Sequence, residues 1–278
     1  MTVPKSISAP VEGAKLRVLS LGAGVQSSTM ALMAAHGEIG PMPDCAIFAD
    51  TGAEPAGVYD HLQFLMSGNV LPFPIHVVNN GNLYEDLMKG MNSTENRFAS
   101  IPFFTVHKGK NGMARRQCTS EYKITPINRM VSKLLDGKKK KGSVEMWIGI
   151  SQDEVLRIRP SRVQYIVNRF PLIEVGINRS GCLEWLKKHG YPDPPKSACT
   201  FCPYRSDASW RKMKGDDVDA WNQALEVDAA LRLHSSRLDA KLFLHSLRKP
   251  LSEVDLSTAE EKGQPDLFNN ECEGMCGV

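Results

Sequence analysis

No apolar run in this chain approaches the ~18 residues that a membrane-crossing helix needs, so no membrane partner is expected. Internal repeats are absent, and the low-complexity stretch is confined to Lys138–Lys141. That stretch reads as an exposed loop between a helix and a strand, with a nucleic-acid backbone contact as the sharper alternative. Neither sign of charge is in excess. Lys and Arg number 34 against 31 Asp and Glu, and the net charge of +3 neither demands nor forbids a nucleic-acid partner. An export signal is lacking too. Met1 to Ala14 is polar, carries Pro4 and Pro10 and has no apolar core, so residues 1–14 are expected to form a loose arm in a cytoplasmic protein. The seven cysteines are odd in number, which argues against a disulfide framework and for metal binding or redox work in a reducing cytosol. What the 278 residues do hold is enough hydrophobic side chain, 42%, for a core.

The first half alternates short apolar runs with helix-forming stretches. Residues 16–21, 45–49, 75–78 and 144–150 read as buried strands. Residues 29–35, 58–66, 83–91 and 124–135 read as helices, with Pro126 tolerable in a first turn. This order predicts an α/β fold, a parallel sheet with helices on both faces, over residues 15–170. From Pro171 onward the pattern predicts helices and loops rather than strands: helices at 182–189, at 207–213 behind a Ser206 cap, and at 217–233. Residues 171–251 are thus expected to form a helical, cysteine-containing region packed on the first. The polar stretch 252–278, with Cys272 and Cys276, is expected to be a frayed tail.

The first strand is followed by Gly22-Ala23-Gly24-Val25-Gln26-Ser27-Ser28 and a helix start. Such a layout aims backbone N–H groups and hydroxyls at one point, which holds phosphate without much positive charge. It is not a Walker P-loop, because no Gly-Lys-Ser/Thr follows. A dinucleotide site stays open. Gly22-x-Gly24-x-x-Ser27 follows a strand, and Asp50 ends the next one, where a ribose-binding acid sits; Ser27 holds a place that normally takes Gly or Ala. A tight turn without a ligand is the plain alternative.

Cys199-Thr200-Phe201-Cys202-Pro203 spaces two thiolates so that both sulfurs reach one metal, while a redox pair and a chance pair stay open. Cys45 falls in a predicted strand and reads as core. Arg115 and Arg116 precede Cys118, Lys123 follows it, and Arg157, Arg159 and Arg162 follow Gly149. Their guanidinium forks suit phosphates or a second anionic substrate; a solvated surface charge is the plain reading of each. His76, His107, His189, His234 and His245 show no ligand spacing.

Several segments, taken in order, resemble the PP-loop ATP pyrophosphatase superfamily in its phosphoadenylylsulfate (PAPS) reductase-like branch. Gly22-Ala23-Gly24-Val25-Gln26-Ser27 is similar to the PP-loop Ser-Gly-Gly-x-Asp-Ser, with Gly22 for the first Ser, Ala23 for a Gly and Gln26 for the Asp. Phe48-Ala49-Asp50-Thr51-Gly52 looks like that branch's Asp-Thr-Gly segment. The run from Cys118-Thr119 to Lys123-Ile124-Thr125-Pro126 is similar to its Cys-Thr…Lys-Ile-x-Pro segment. Residues 149–159 sit where the superfamily has a substrate-contacting loop. The likeness spans residues 16–210, and the Cys-Glu-Gly-Met-Cys-Gly ending resembles that of phage and bacterial PAPS reductase-like proteins. The sulfurtransferase of the DNA phosphorothioation system, which carries an iron–sulfur cluster, is a related member.

The resemblance implies an adenine nucleotide alpha hydrolase-like fold. It implies an adenine nucleotide (ATP, or else PAPS or APS) with Mg2+ on Ser20, Gly22, Ala23, Gly24, Gln26, Ser27, Ser28, Asp50, Thr51 and Gly149. Arg115, Arg116, Lys123, Arg157 and Arg159 fall to the substrate, and Ser27, Asp50, Lys123 and Cys276 to catalysis. Cys118, Cys199, Cys202 and Cys182 fall to a metal, with Cys272 and Cys276 as rivals for the fourth place. Four thiolates suit zinc or a 4Fe-4S cluster, and dispersed ligands with the family likeness favour iron. The activity implied is attack on the α-phosphate, pyrophosphate release, and sulfur transfer that displaces AMP. A PAPS or APS reductase using a C-terminal cysteine is one alternative. A non-catalytic nucleotide- or nucleic-acid-binding protein with structural zinc is another. Implied partners are a DNA or tRNA substrate and a sulfur donor such as a cysteine desulfurase or thioredoxin.

Overall fold

The computed structural model describes residues 9–98, 100–258 and 261. β1 (Leu16–Leu21) leads through the glycine turn into α1 (Val25–Ala35), followed by β2 (Cys45–Asp50), α2 (Ala56–Met66) and β3 (Ile75–Asn79). The short α3 (Leu83–Met88) precedes an antiparallel hairpin of β4 (Phe104–His107) and β5 (Lys110–Met113). A π-helical segment, Thr119–Ile124, runs directly into α4 (Thr125–Leu134); β6 (Val144–Ile148) and β7 (Ile166–Arg169) come next. The rest is α5 (Pro171–Glu174), α6 (Arg179–Lys188), α7 (Asp207–Asp216), α8 (Val218–Leu233) and β8 (Lys241–Phe243).

The main sheet has the order β3-β2-β1-β6-β7, and every pair in it is parallel. Alternation along each strand sends side chains to two cores. Leu19 and Leu21 of β1, Phe48 of β2 and Trp147 of β6 pack with α1, α2 and α6. Val18, Cys45, Ile47 and Met146 pack under α4. Both faces are covered, so the strands are apolar along most of their length, as parallel sheets require. The fold is the α/β class that the alternation predicts. A third core gathers around chain leaving the carboxyl ends of β2 and β3 (Ala53, Leu83) and includes Trp210 of α7 and Trp221 of α8. The C-terminal region is mainly helical, as expected.

Two differences from the expected elements are instructive. α1 begins at Val25, a full turn before the expected start at 29, because an N-terminal turn needs no apolar stripe to form once packing fixes it. Lys241–Phe243 forms a strand where only helices and loops are expected after Pro171. Three residues are too short to show an alternating pattern, and antiparallel pairing with β4 holds them. β4 lies before Pro171 and β8 after it, so the small sheet draws on chain from both sides of that point. Among the described residues no helix is long and apolar enough to cross a membrane.

β1 lies between β2 and β6, and the chain leaves it toward one side and returns on the other. That reversal opens a crevice at the carboxyl end of β1, the place where open α/β sheets take ligands.

Candidate functional site

The crevice is built from the turn that starts α1. Gly22 donates its N–H to Ser27 Oγ at 3.1 Å, and that hydroxyl donates to the Gly24 carbonyl at 3.3 Å. Gly24 is the N-cap and has no side chain to cap with, so the amides of the first helical turn have no intrahelical acceptor. Ala23 holds φ at +51°, in the left-handed region where a Cβ costs energy. It is fully buried, and its side chain points away from the crevice.

Two other segments close on this turn. Gly149 follows β6, and a Cβ there would stand 3.0 Å from the Ser27 nitrogen. A Cβ on Gly24 would stand 2.4 Å from Ser197 Oγ. The glycines therefore let β6 and the loop around Ser197 approach the turn closely. The result is a cavity of about 150 Å³. Ser20, Gly22, Gly24, Gln26, Ser27 and Gly149 line it together with Lys123, Glu154, Arg157, Arg179, Lys196 and Ser197.

The polar wall is a network. Gln26 donates to Glu154 Oε2 at 3.3 Å and lies 3.5 Å from Ser151 Oγ, and Arg179 donates to Gln26 Oε1 at 3.2 Å. Arg157 forms an ion pair with Glu154. Burial pushes the Glu154 carboxyl above its ordinary range, and the Arg157 guanidinium only partly offsets this.

The Asp-Thr-Gly segment faces elsewhere. Asp50 Oδ1 accepts the Gly52 N–H and the Tyr59 hydroxyl, each at 2.8 Å, and lies outside the lining of the cavity. Burial and this carboxylate push the Tyr59 phenol up. Thr51 donates to Glu54 Oε2 at 2.7 Å and lies 3.6 Å from Cys199 Sγ. Lys123 Nζ approaches the buried Glu54 carboxylate at 3.3 Å.

Thr51, Cys118, Cys199 and Cys202 line a second, smaller cleft of about 20 Å³, walled by apolar Ile101, Pro102, Phe201 and Pro203. The Cys202 N–H donates to the Cys199 carbonyl at 3.1 Å, a turn that sets both side chains toward one side. The Cys118 N–H is held by the Ser100 carbonyl at 2.9 Å. Thr119 and Lys123 border both clefts, so the cysteine cleft adjoins the cavity at the glycine turn.

No protein-family model matches the chain, and no curated protein matches it. A solved structure does. The chain is similar to the crystal structure of phosphoadenylyl-sulfate (PAPS) reductase from Candida auris in its phosphate complex, at 12% identity and a TM-score of 0.39. The match covers 68% of this chain and 78% of that one. A likeness at that level assigns no activity.

Of the residues singled out in the sequence, the structure brings Ser20, Gly22, Gly24, Gln26, Ser27, Gly149, Lys123 and Arg157 to the cavity. Thr51 and Arg116 stand at the cysteine cleft, with the Arg116 guanidinium 6.0 Å above the Tyr204 ring. Ser28 is fully buried behind the turn, its hydroxyl 3.0 Å from His61 Nε2 and its N–H donated to the Gly24 carbonyl at 3.0 Å. Arg115 is exposed, and Arg159 is exposed with its guanidinium on the carbonyls of Leu156 and Ile158. Cys182 is set apart from the other three ligand candidates. It is fully buried in the core between α1 and α6, and that burial pushes its thiol up to about 12. There it packs as a small apolar residue. Cys272 and Cys276 lie outside the described residues. Sequence reasoning missed Glu154, Arg179, Lys196, Ser197 and Glu54. The signal for Glu154 was at hand, three residues before Arg157 in a loop already flagged; Arg179 and Lys196 carry no local motif.

Proposed function

We propose that this chain is a PP-loop-type enzyme of the PAPS reductase-like branch that binds an adenine nucleotide at the glycine turn and couples it to sulfur chemistry at the adjoining cysteines. One observation carries the reading: the cavity floored by the first-turn amides of α1 shares Thr119 and Lys123 with a cleft lined by Cys118, Cys199 and Cys202.

In this reading the nucleotide phosphates lie against the amides of Val25, Gln26 and Ser27, at the positive end of the α1 dipole. Arg157, Arg179, Lys123 and Lys196 offset the phosphate charge. The acceptor's nucleophile bonds to the α-phosphorus as the bridging P–O bond to the β-phosphate breaks, and the electron pair leaves with pyrophosphate. Fixed donors aimed at the charge that develops there lower the barrier. A sulfur nucleophile then bonds to the activated acceptor, and AMP departs with the electron pair of the broken bond.

Cys118, Cys199 and Cys202, on an apolar-walled cleft, offer three of the four thiolates that an iron–sulfur cluster takes. Cys118, Cys199 and Cys202 would hold it, and when bound it would supply redox-active iron and sites for sulfide. The carboxylates suit magnesium poorly: Asp50 is engaged by Gly52 and Tyr59, and Glu154 by Arg157.

A PAPS or APS reductase is the second reading, favoured by Arg116 beside the thiols, where a guanidinium suits a sulfonyl group. The test is titration of the anaerobically prepared full chain with ATP and with PAPS, followed by assays of pyrophosphate release and thioredoxin-coupled sulfite release. Binding by either nucleotide that weakens at least tenfold in Lys123→Ala or Ser27→Ala supports the site. Folded chain that binds neither nucleotide refutes it.

A further inference from the structure

The two helices whose beginnings face the cavity also end near each other. α1 starts at the glycine turn and its C-cap is His36; α6 starts with Arg179 and its C-cap is His189. The helices pack side by side through one core. One ligand-type atom from each of His36, Glu38 and His189 lies within 4.8 Å of those from the other two.

Each of the three side chains is oriented by a second contact. His189 places Nδ1 2.8 Å from the Trp185 carbonyl, so a ring proton sits there, and Nε2 faces Glu38 Oε1 at 3.6 Å. Glu38 Oε2 accepts the Trp185 indole N–H at 2.8 Å, which leaves Oε1 toward the histidine. The Tyr191 hydroxyl lies 2.8 Å from His36 Nε2, which leaves Nδ1. The Trp185 ring stacks on His189 with centroids 4.0 Å apart. Outer hydrogen bonds of this kind set the tautomer and raise the basicity of metal-binding histidines. Both helices also end in their negative dipole pole here, which favours a cation.

We propose that His36, Glu38 and His189 form a divalent transition-metal site that clips the C-terminal ends of α1 and α6 together. Two imidazoles and one carboxylate suit Zn2+, Ni2+ or Cu2+ rather than Ca2+ or Mg2+. Two donors about 2.1 Å from a tetrahedral ion stand about 3.4 Å apart, a spacing these side chains reach by small rotations. The site is separate from the cysteine cleft and does not depend on the nucleotide reading. A metal here braces the helices that present Ser27 and Arg179 at their other ends.

The test uses the untagged full chain and compares wild type with His36→Gln/His189→Gln and with Glu38→Gln. His36 and Glu38 are exposed, so the variants are expected to keep the fold. Equilibrium dialysis against Zn2+ should show one more equivalent bound to wild type than to the double variant. Metal held by cysteines is the same in both and cancels. Cu2+ should quench the fluorescence of Trp185 in wild type, not in the double variant, and at least tenfold more weakly in Glu38→Gln. Equal zinc content and equal quenching in wild type and double variant would overturn the proposal.

Discussion

The two ends of the main sheet carry the same kinds of charged residue and use them in opposite ways. Near the amino end, Glu145, the second residue of β6, is fully buried; it accepts the Trp147 indole N–H at 2.6 Å and, at 3.1 Å, an N–H of Arg169, which reaches back from the last position of β7. Arg169 also donates to Glu174 at 2.7 Å and to the Gly40 carbonyl at 2.9 Å, and its guanidinium lies 4.9 Å above the Trp147 ring. Burial alone would lower the Arg169 pKa; the Glu174 and Glu145 carboxylates override it and raise it. At the carboxyl end, Glu154, Arg157, Arg179, Lys123 and Lys196 surround about 150 Å³ of open volume. A charge whose partners and packing fill its surroundings is structural. A charge that keeps a face toward space is available to a ligand.

Breaking the closed end should give the largest effect. Glu145→Ala leaves the Arg169 charge buried with one carboxylate fewer and is expected to cost about 3–5 kcal/mol in urea unfolding. The fraction that stays folded should bind nucleotide with unchanged affinity; a parallel loss of affinity would mean that the two ends are not independent. Gly149→Ala acts at the open end. Its Cβ meets the α1 backbone at 3.0 Å, so the turn must shift, with about 1–3 kcal/mol lost and nucleotide binding strongly weakened in titration calorimetry. Arg179→Ala should separate the ends most cleanly. Nucleotide affinity is expected to fall about tenfold, near 1.4 kcal/mol, while the unfolding midpoint barely moves.

His61 lies behind the turn, and burial lowers its pKa from 6.5. The unfolded chain takes up the proton first, so this contribution to stability is present above pH 6.5 and is lost as pH falls below it toward the folded value. Thermal melts should therefore fall more steeply between about pH 7 and pH 5.5 for wild type than for His61→Gln. A slope unchanged by the substitution would place the acid sensitivity elsewhere. Ala23→Gly should give the smallest effect. It relieves a left-handed Cβ costing about 1–2 kcal/mol but gives back about 0.5–1 kcal/mol of chain entropy, so melting should rise slightly with no change in affinity.

Much of this was legible in the linear chain. The apolar runs around Leu19, Phe48 and Trp147 marked the strands, because a sheet covered on both faces leaves continuous hydrophobic segments. Gly22, Gly24 and Ser27 marked the turn, because their chemistry is local. The pairing of Cys118 with Cys199 and Cys202 followed from the family likeness rather than from spacing. Asp50, which the resemblance gives to the nucleotide, lies outside the lining of the cavity, and nothing in Asp-Thr-Gly announces that Tyr59 will take its carboxylate. His189 showed no ligand spacing because its companions, His36 and Glu38, stand about 150 residues away in the chain and meet it only where two helices end.

By itself, then, the order of residues determined what needs only neighbours: strand against helix, a turn that frees amides, a thiol pair two residues apart. Tertiary packing alone decided which charges surround a cavity and which are sealed, and it sent Cys182 into a core while its fellow cysteines line a cleft. It also set Gln26 against Arg179, 153 residues further along the chain. Periodicity is a property of a few consecutive residues, whereas a site is made by side chains whose distance is set by how whole elements pack.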